Sequence, residues 1–128
     1  MILLDTHTWL WWVAGAGSLS SAAETAIHDA ASIGIPTVAC MEVAALARRR
    51  RIDLAEEIET WIARALTQER VETVPLNAQI AVRAGSFGDN FVGDPADRII
   101  YASAIVTGRR LVTRDRFMRR FDPERTLW

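Results

Sequence analysis

The chain has 128 residues, half of them hydrophobic, enough to bury one core and too few for two ordinary domains, so a single domain over residues 1–128 is expected. Fifteen basic against sixteen acidic residues leave a net charge of -1, which gives no general pull toward nucleic acid or membrane. Every basic residue is Arg; with no Lys, mechanisms that need a catalytic or phosphate-binding lysine, Walker-type nucleotide binding among them, are excluded. Cys40 has no partner for an internal disulfide, and the apolar stretch Met1 to Leu4 is cut off by Asp5 before it could serve as a signal segment. No apolar run reaches membrane-spanning length, and a reducing, cytoplasmic setting is expected.

Ile2-Leu3-Leu4 has the form of a strand buried on both faces, and Asp5-Thr6-His7-Thr8 then opens a helix with Trp9, Leu10, Trp12 and Val13 turned inward, closed at Gly15-Ala16-Gly17. Trp9, Trp11 and Trp12 crowd this helix too closely to face one core, which leaves an exposed indole for a dimer or partner interface. Ser21-Ala22-Ala23-Glu24 has the spacing of a capping box and predicts a second helix to about Ser32. Ile33 to Ala39 reads as a second strand, with Pro36 favouring an edge or strand-end position, and Cys40-Met41-Glu42 opens a third helix. Its basic end, Arg48 to Arg51, suits either phosphate contact or a solvated helix terminus.

From Asp53 to Gln68 apolar residues recur at helical intervals, and Val71 to Val74 alternates like a strand. Asn77 caps a short helix over Ile80 and Val82, and the glycines from Gly85 to Gly93 predict a mobile loop. Asp94 as cap with Pro95 at the first helical position starts a helix that Gly108 closes; Leu111-Val112-Thr113 is a further strand, followed by Arg114-Asp115 and a short helix. Strands alternating with helices predict an α/β fold, a three-layer α/β/α sandwich around a mainly parallel sheet.

In open parallel sheets ligands gather at the carboxyl ends of the strands, where Asp5, Glu42 and Asp115 are expected to meet. Asp97, at the third position of the helix begun by Asp94, can turn toward the same edge, with Asp94 as its cap. An Asp after a strand is also an ordinary helix cap worth about 1 kcal/mol, so Asp5, Asp94 and Asp115 each have a purely structural reading, which Glu42 lacks. Two like unit charges ~4 Å apart cost about 4 kcal/mol at an effective dielectric of 20, so the four acids together call for a cation or for protonation. Oxygen-only donors suit a hard ion such as Mg2+, and such a site supports phosphodiester hydrolysis by lowering the pKa of a water. Arg98, Arg114 and Arg116 stand beside these acids in sequence and can pair with them or with phosphate; His7 reads as a surface or packed residue that can also touch RNA or metal.

The segments Leu3-Leu4-Asp5-Thr6-His7, Glu42-Val43-Ala44, Asp94-Pro95-Ala96-Asp97-Arg98 and Val112-Thr113-Arg114-Asp115 resemble, in order and over almost the whole chain, the motifs of the PIN-domain family, in particular the VapC toxins of type II toxin-antitoxin systems. The resemblance implies a Mg2+- or Mn2+-dependent endoribonuclease, usually a homodimer, made with an antitoxin protein that blocks its site. By position, Asp5, Glu42, Asp97 and Asp115 match the acidic quartet that binds metal, Asp94 a position beside it, and Thr113 a small hydroxyl residue near the metal. Two other readings stay open at this point. One is an aspartyl-phosphate enzyme or receiver, which would use Asp5 but resembles the chain less, for want of a lysine and of an acid at His7. The other is a non-catalytic PIN-like module that binds RNA or a partner.

Overall fold

The computed structural model describes residues 1–15 and 17–128, so Ala16, the middle of the expected Gly15-Ala16-Gly17 helix stop, lies outside the described residues. The strands are β1 (Ile2–Leu4), β2 (Ile33–Pro36), β3 (Val71–Val74), β4 (Arg110–Val112) and β5 (Thr126–Leu127). The helices are α1 (Thr6–Ala14), α2 (Ser21–Asp29), α3 (Thr37–Arg48), α4 (Ile58–Leu66), α5 (Ala78–Gly85), α6 (Pro95–Thr107) and α7 (Arg116–Phe121). The strands form one sheet in the order β3-β2-β1-β4-β5, and every pairing is parallel. From β1 the chain builds outward on one side through β2 and β3, then returns to build β4 and β5 on the other. The boundary between β1 and β4 is therefore a topological switch point, where parallel sheets open a crevice at their carboxyl ends.

Alternation along the strands divides the interior into two layers. Ile2, Leu4, Ile33, Ile35 and Val112 face a core completed by Trp9 of α1, Ile27 of α2, Val43 of α3 and Trp61 of α4. Leu3, Val74 and Leu111 face the opposite core with Ile80 of α5, Ile100 of α6 and Met118 of α7. This is the expected three-layer α/β/α arrangement. Trp9 is fully buried and meets Trp61 edge to face at 5.1 Å between ring centroids.

Several boundaries differ from the sequence reading. The second strand ends at Pro36, and Val38, Ala39 and Cys40 already belong to α3. A short apolar run does not by itself distinguish strand from helix, and here Ala39 and Val43 fall one helical turn apart in the same core. Pro36 sits at the strand end, as expected, but pairs with Val74 in a strand flanked on both sides rather than at an edge. The cap of α2 is Ser20, whose Oγ accepts from the Ala23 N–H at 3.1 Å; Ser21 lies inside the helix, so Glu24 is one residue too far along for the expected box, and the helix stops at Asp29. The helix expected from Asp53 begins at Ile58, because Leu54 reaches the core from a non-helical segment while Glu56 folds over α4 to accept from Arg64 Nε at 2.6 Å. Strand β5 was absent from the sequence reading; two residues carry no readable period.

Two arginines shape the scaffold. Arg109 is largely buried and pairs with Glu72 on β3, while Gly34 lies beside its guanidinium: a Cβ on Gly34 would meet Leu3 and would stand 2.6 Å from Arg109 Nη1. Arg98 ties down the segment after α5: it donates to the carbonyls of Phe87 at 2.9 Å and Phe91 at 3.0 Å, and its guanidinium lies 5.4 Å from the Phe91 ring centroid. With Phe91 buried among Phe87, Tyr101, Phe117 and Phe121, this segment is anchored instead of open, contrary to what its glycines suggest. Among the described residues no helix is long and apolar enough to cross a membrane.

Candidate active site

At the switch point the carboxyl ends of β1 and β4 release Asp5 and Asp115, and between α1, α3 and α6 a cleft of about 510 Å³ opens. Asp5, Glu42, Asp94, Asp97 and Asp115 all line it, with His7 and Arg114 as its basic residues. The structure thus brings the four expected acids and Asp94 to one place. Glu42 arrives from the second turn of α3 rather than from a helix opening, a consequence of the earlier end of β2.

Each acid is held by a specific local device. Asp5 caps α1: its Oδ1 accepts from the Thr8 N–H at 2.9 Å, and its Oδ2 accepts the hydroxyl of Thr113. The Thr8 hydroxyl donates to the Val112 carbonyl at 3.1 Å, stitching the start of α1 to the end of β4. Asp115 caps α7 through the Met118 N–H at 2.9 Å, and its own N–H donates to Thr113 Oγ1 at 3.1 Å. Asp94 and Asp97 form a reciprocal capping box at the start of α6, Asp94 accepting the Asp97 N–H at 2.9 Å and Asp97 accepting the Asp94 N–H at 3.1 Å. Glu42 caps nothing; its Oε1 accepts from the Thr6 hydroxyl at 2.5 Å. The structural reading of Asp5, Asp94 and Asp115 as caps and their position in the cleft are therefore not alternatives. Each carboxylate caps through one oxygen and faces the cleft as well.

The electrostatics are unbalanced. Burial is the main influence raising the Asp5 carboxyl above the ordinary aspartate range, against the lowering effect of its bonds to Thr113 and Thr8. Glu42 is raised first by burial and further by the charges of Asp94 and Asp5. Asp97 is pushed up to about 7, mainly by burial, with added repulsion from Asp94 and Glu42. Among the described residues none of these acids has an ion-pair partner. Nor do any three His, Cys, Asp or Glu side chains there stand grouped closely enough to hold one ion as they lie.

The neighbouring arginines divide. Arg98 turns away to the Phe87 and Phe91 carbonyls, Arg116 is exposed on α7, and only Arg114 lines the cleft, its guanidinium 5.8 Å from the Trp11 ring centroid. Arg48 to Arg51 are exposed at the end of α3 and do not line the cleft. Cys40 is half-buried and its thiol is raised by that burial, which makes it a poor nucleophile. Thr6 and Thr8 were missed as site residues. The only signal was a run of hydroxyls directly after a strand-end aspartate, which reads equally well as an ordinary helix start.

An all-parallel sheet with acids converging at its switch point defines a class of α/β protein with an acidic crevice, and sequence comparison makes the class specific. The PIN domain family model matches residues 2–123, and the chain belongs to that family. Ribonuclease VapC22 of Mycobacterium tuberculosis is 42% identical over 118 residues, covering 92% of this chain and 89% of that protein. Among solved structures, VapBC2 from Rickettsia felis bound to a DNA fragment from its promoter superposes with a TM-score of 0.71 at 16% identity, over 99% of this chain and 98% of that one. A toxin-antitoxin complex from Klebsiella pneumoniae gives 0.64 at 22% identity, over 90% and 87%. At these identities the two structures bear on the fold alone.

Proposed function

We propose that this chain is a Mg2+- or Mn2+-dependent endoribonuclease, the toxin of a type II toxin-antitoxin system, acting in the cytoplasm as a homodimer and held in check by a cognate antitoxin protein. The observation that carries the catalytic part is the cleft, in which Asp5, Glu42, Asp94, Asp97 and Asp115 meet with only His7 and Arg114 as basic lining residues. RNA as substrate and the antitoxin as partner rest on the similarity to Ribonuclease VapC22 and on family membership.

The donor set fits a hard divalent ion: it is all oxygen, partly desolvated and uncompensated, so removing the cation leaves the carboxyls raised in pKa. Asp5, Glu42, Asp97 and Asp115 would hold the ion, which when bound lowers the pKa of a water and offsets the charge of phosphate. Thr113 positions Asp5, Thr6 positions Glu42, and the capping box positions Asp97. Asp97, at about 7, is suited to exchange a proton at neutral pH. Arg114 supplies positive charge for a phosphate beside the acids.

The test is cleavage of a mixed-sequence RNA by the purified chain. Internal cuts that stop with EDTA and return with excess Mn2+ support the reading. Cleavage indifferent to chelation contradicts the metal requirement, and intact RNA with bound Mn2+ would favour a non-catalytic module.

A further inference from the structure

One wall of the cleft is neither acidic nor part of the core. Trp9 is fully buried, and Trp11, two residues on, points about 200° around the helix from it. Trp11 is half-buried and lines the cleft. Three side chains from separate parts of the chain surround its indole: His7 one turn back, at 5.7 Å between ring centroids; Trp128, also at 5.7 Å; and Arg114. Neither ring lies parallel on it, the interplanar angles being 47° and 57°, so no ring is stacked face to face on the indole. Among the described residues Arg114 has no ion-pair partner, although acids line the same cleft.

The geometry points to Trp11 as a stacking platform for an unpaired nucleobase, with Arg114 holding the phosphate next to it, so that a single-stranded segment is seated with its scissile bond over the acids. This rests on the ribonuclease reading and adds to it a substrate class, single-stranded in preference to duplex RNA. Three features support it. An indole is sequence-tolerant because every base has a π face, and a guanidinium beside it contributes both stacking and charge. The bases of a duplex are already stacked and cannot reach such a platform, whereas unpaired bases can be splayed onto it. The basic groups that line the cleft, His7 and Arg114, both lie beside Trp11, so the cleft has an acidic half suited to cations and a cationic, aromatic half suited to the nucleotide.

The test uses binding in addition to cleavage. In an Asp5→Asn background, which is not expected to cut, a labelled short single-stranded RNA is titrated and followed by anisotropy. Adding Trp11→Ala weakens binding roughly ten- to hundredfold, the value of one stacked base, while Trp11→Phe keeps it within about threefold. Arg114→Gln weakens binding and lowers its salt dependence by about one phosphate contact. Binding of a blunt RNA duplex is unchanged by Trp11→Ala. In the active protein Trp11→Ala raises KM and leaves kcat within about threefold. Undiminished single-strand binding by Trp11→Ala overturns the proposal, and so does an equal loss for duplex or a Trp11→Phe protein as impaired as Trp11→Ala. If the wild type cuts no RNA, the ribonuclease reading fails, while the binding arm still decides whether Trp11 stacks a base.

Discussion

The Thr113 hydroxyl donates to Asp5 Oδ2 and, through the same oxygen, accepts the Asp115 N–H at 3.1 Å. One fully buried side chain thus fixes two of the four acids, each at the end of a different strand of the switch point. Thr113→Val keeps the shape and removes both bonds. Two polar groups then lose a partner at a partly buried position, which costs about 1–3 kcal/mol of stability. The expected result is a lower denaturation midpoint and an Asp5 carboxyl raised further. Urea unfolding checks the first; an unchanged midpoint would show that the hydroxyl does not organise the site.

The raised carboxyls give the metal-free protein a definite pH dependence. Asp97 titrates at about 7 in the folded chain against 3.8 for the model value, so between these values the native state binds more protons than the unfolded one. Stability is therefore greatest at the acid end of that window and falls as pH rises through about 7. The displacements of Glu42 and Asp5 act in the same direction. In EDTA the melting temperature should decline from pH 5 to pH 7.5, and Mn2+ should restore more at pH 7.5 than at pH 5, because the ion competes with protons for the same oxygens. A melting temperature that rises with pH in EDTA contradicts this.

Gly34 is expected to be intolerant of a side chain. Its missing Cβ leaves room for Leu3 and for the Arg109 guanidinium that reaches Glu72. Gly34→Val overpacks this position at a cost of about 1–3 kcal/mol, visible in chemical denaturation. A variant as stable as the parent would mean that Arg109 and Leu3 move aside freely.

Arg98 was grouped by sequence with the site, and its contacts give it a structural task. Arg98→Met removes the donors to the Phe87 and Phe91 carbonyls and keeps an apolar stem. Hydrogen exchange should quicken over residues 86–93, with metal affinity unchanged. Weakened Mn2+ binding with unaltered exchange would return Arg98 to the site.

Much of the architecture was legible because its signals are local and physically distinct. Ile2-Leu3-Leu4 before Asp5, and Asp94-Pro95 with Gly108 at the far end, each combine a burial pattern with a capping requirement, and both elements form as read. The errors arose where one signal served two structures. Val38-Ala39 suited strand and helix alike, adjacent serines offered two caps, and Leu54 kept helical spacing without being in a helix. At the site the acids could be named from strand ends, but their partners could not. That Thr6 meets Glu42 and that Trp11 lies beside Arg114 and Trp128 depends on segments far apart in sequence.

The most direct test of the account is RNA cleavage by Asp5→Asn in the presence of Mn2+. An asparagine Oδ1 can still accept the Thr8 N–H, so the cap on α1 and the fold should persist, while the negative charge between β1 and β4 is lost. The account predicts a protein that melts cooperatively and cuts RNA at least ~10²-fold more slowly than the wild type, the scale on which losing a transition-state charge contact is felt. Cleavage at the wild-type rate by the folded variant would contradict it.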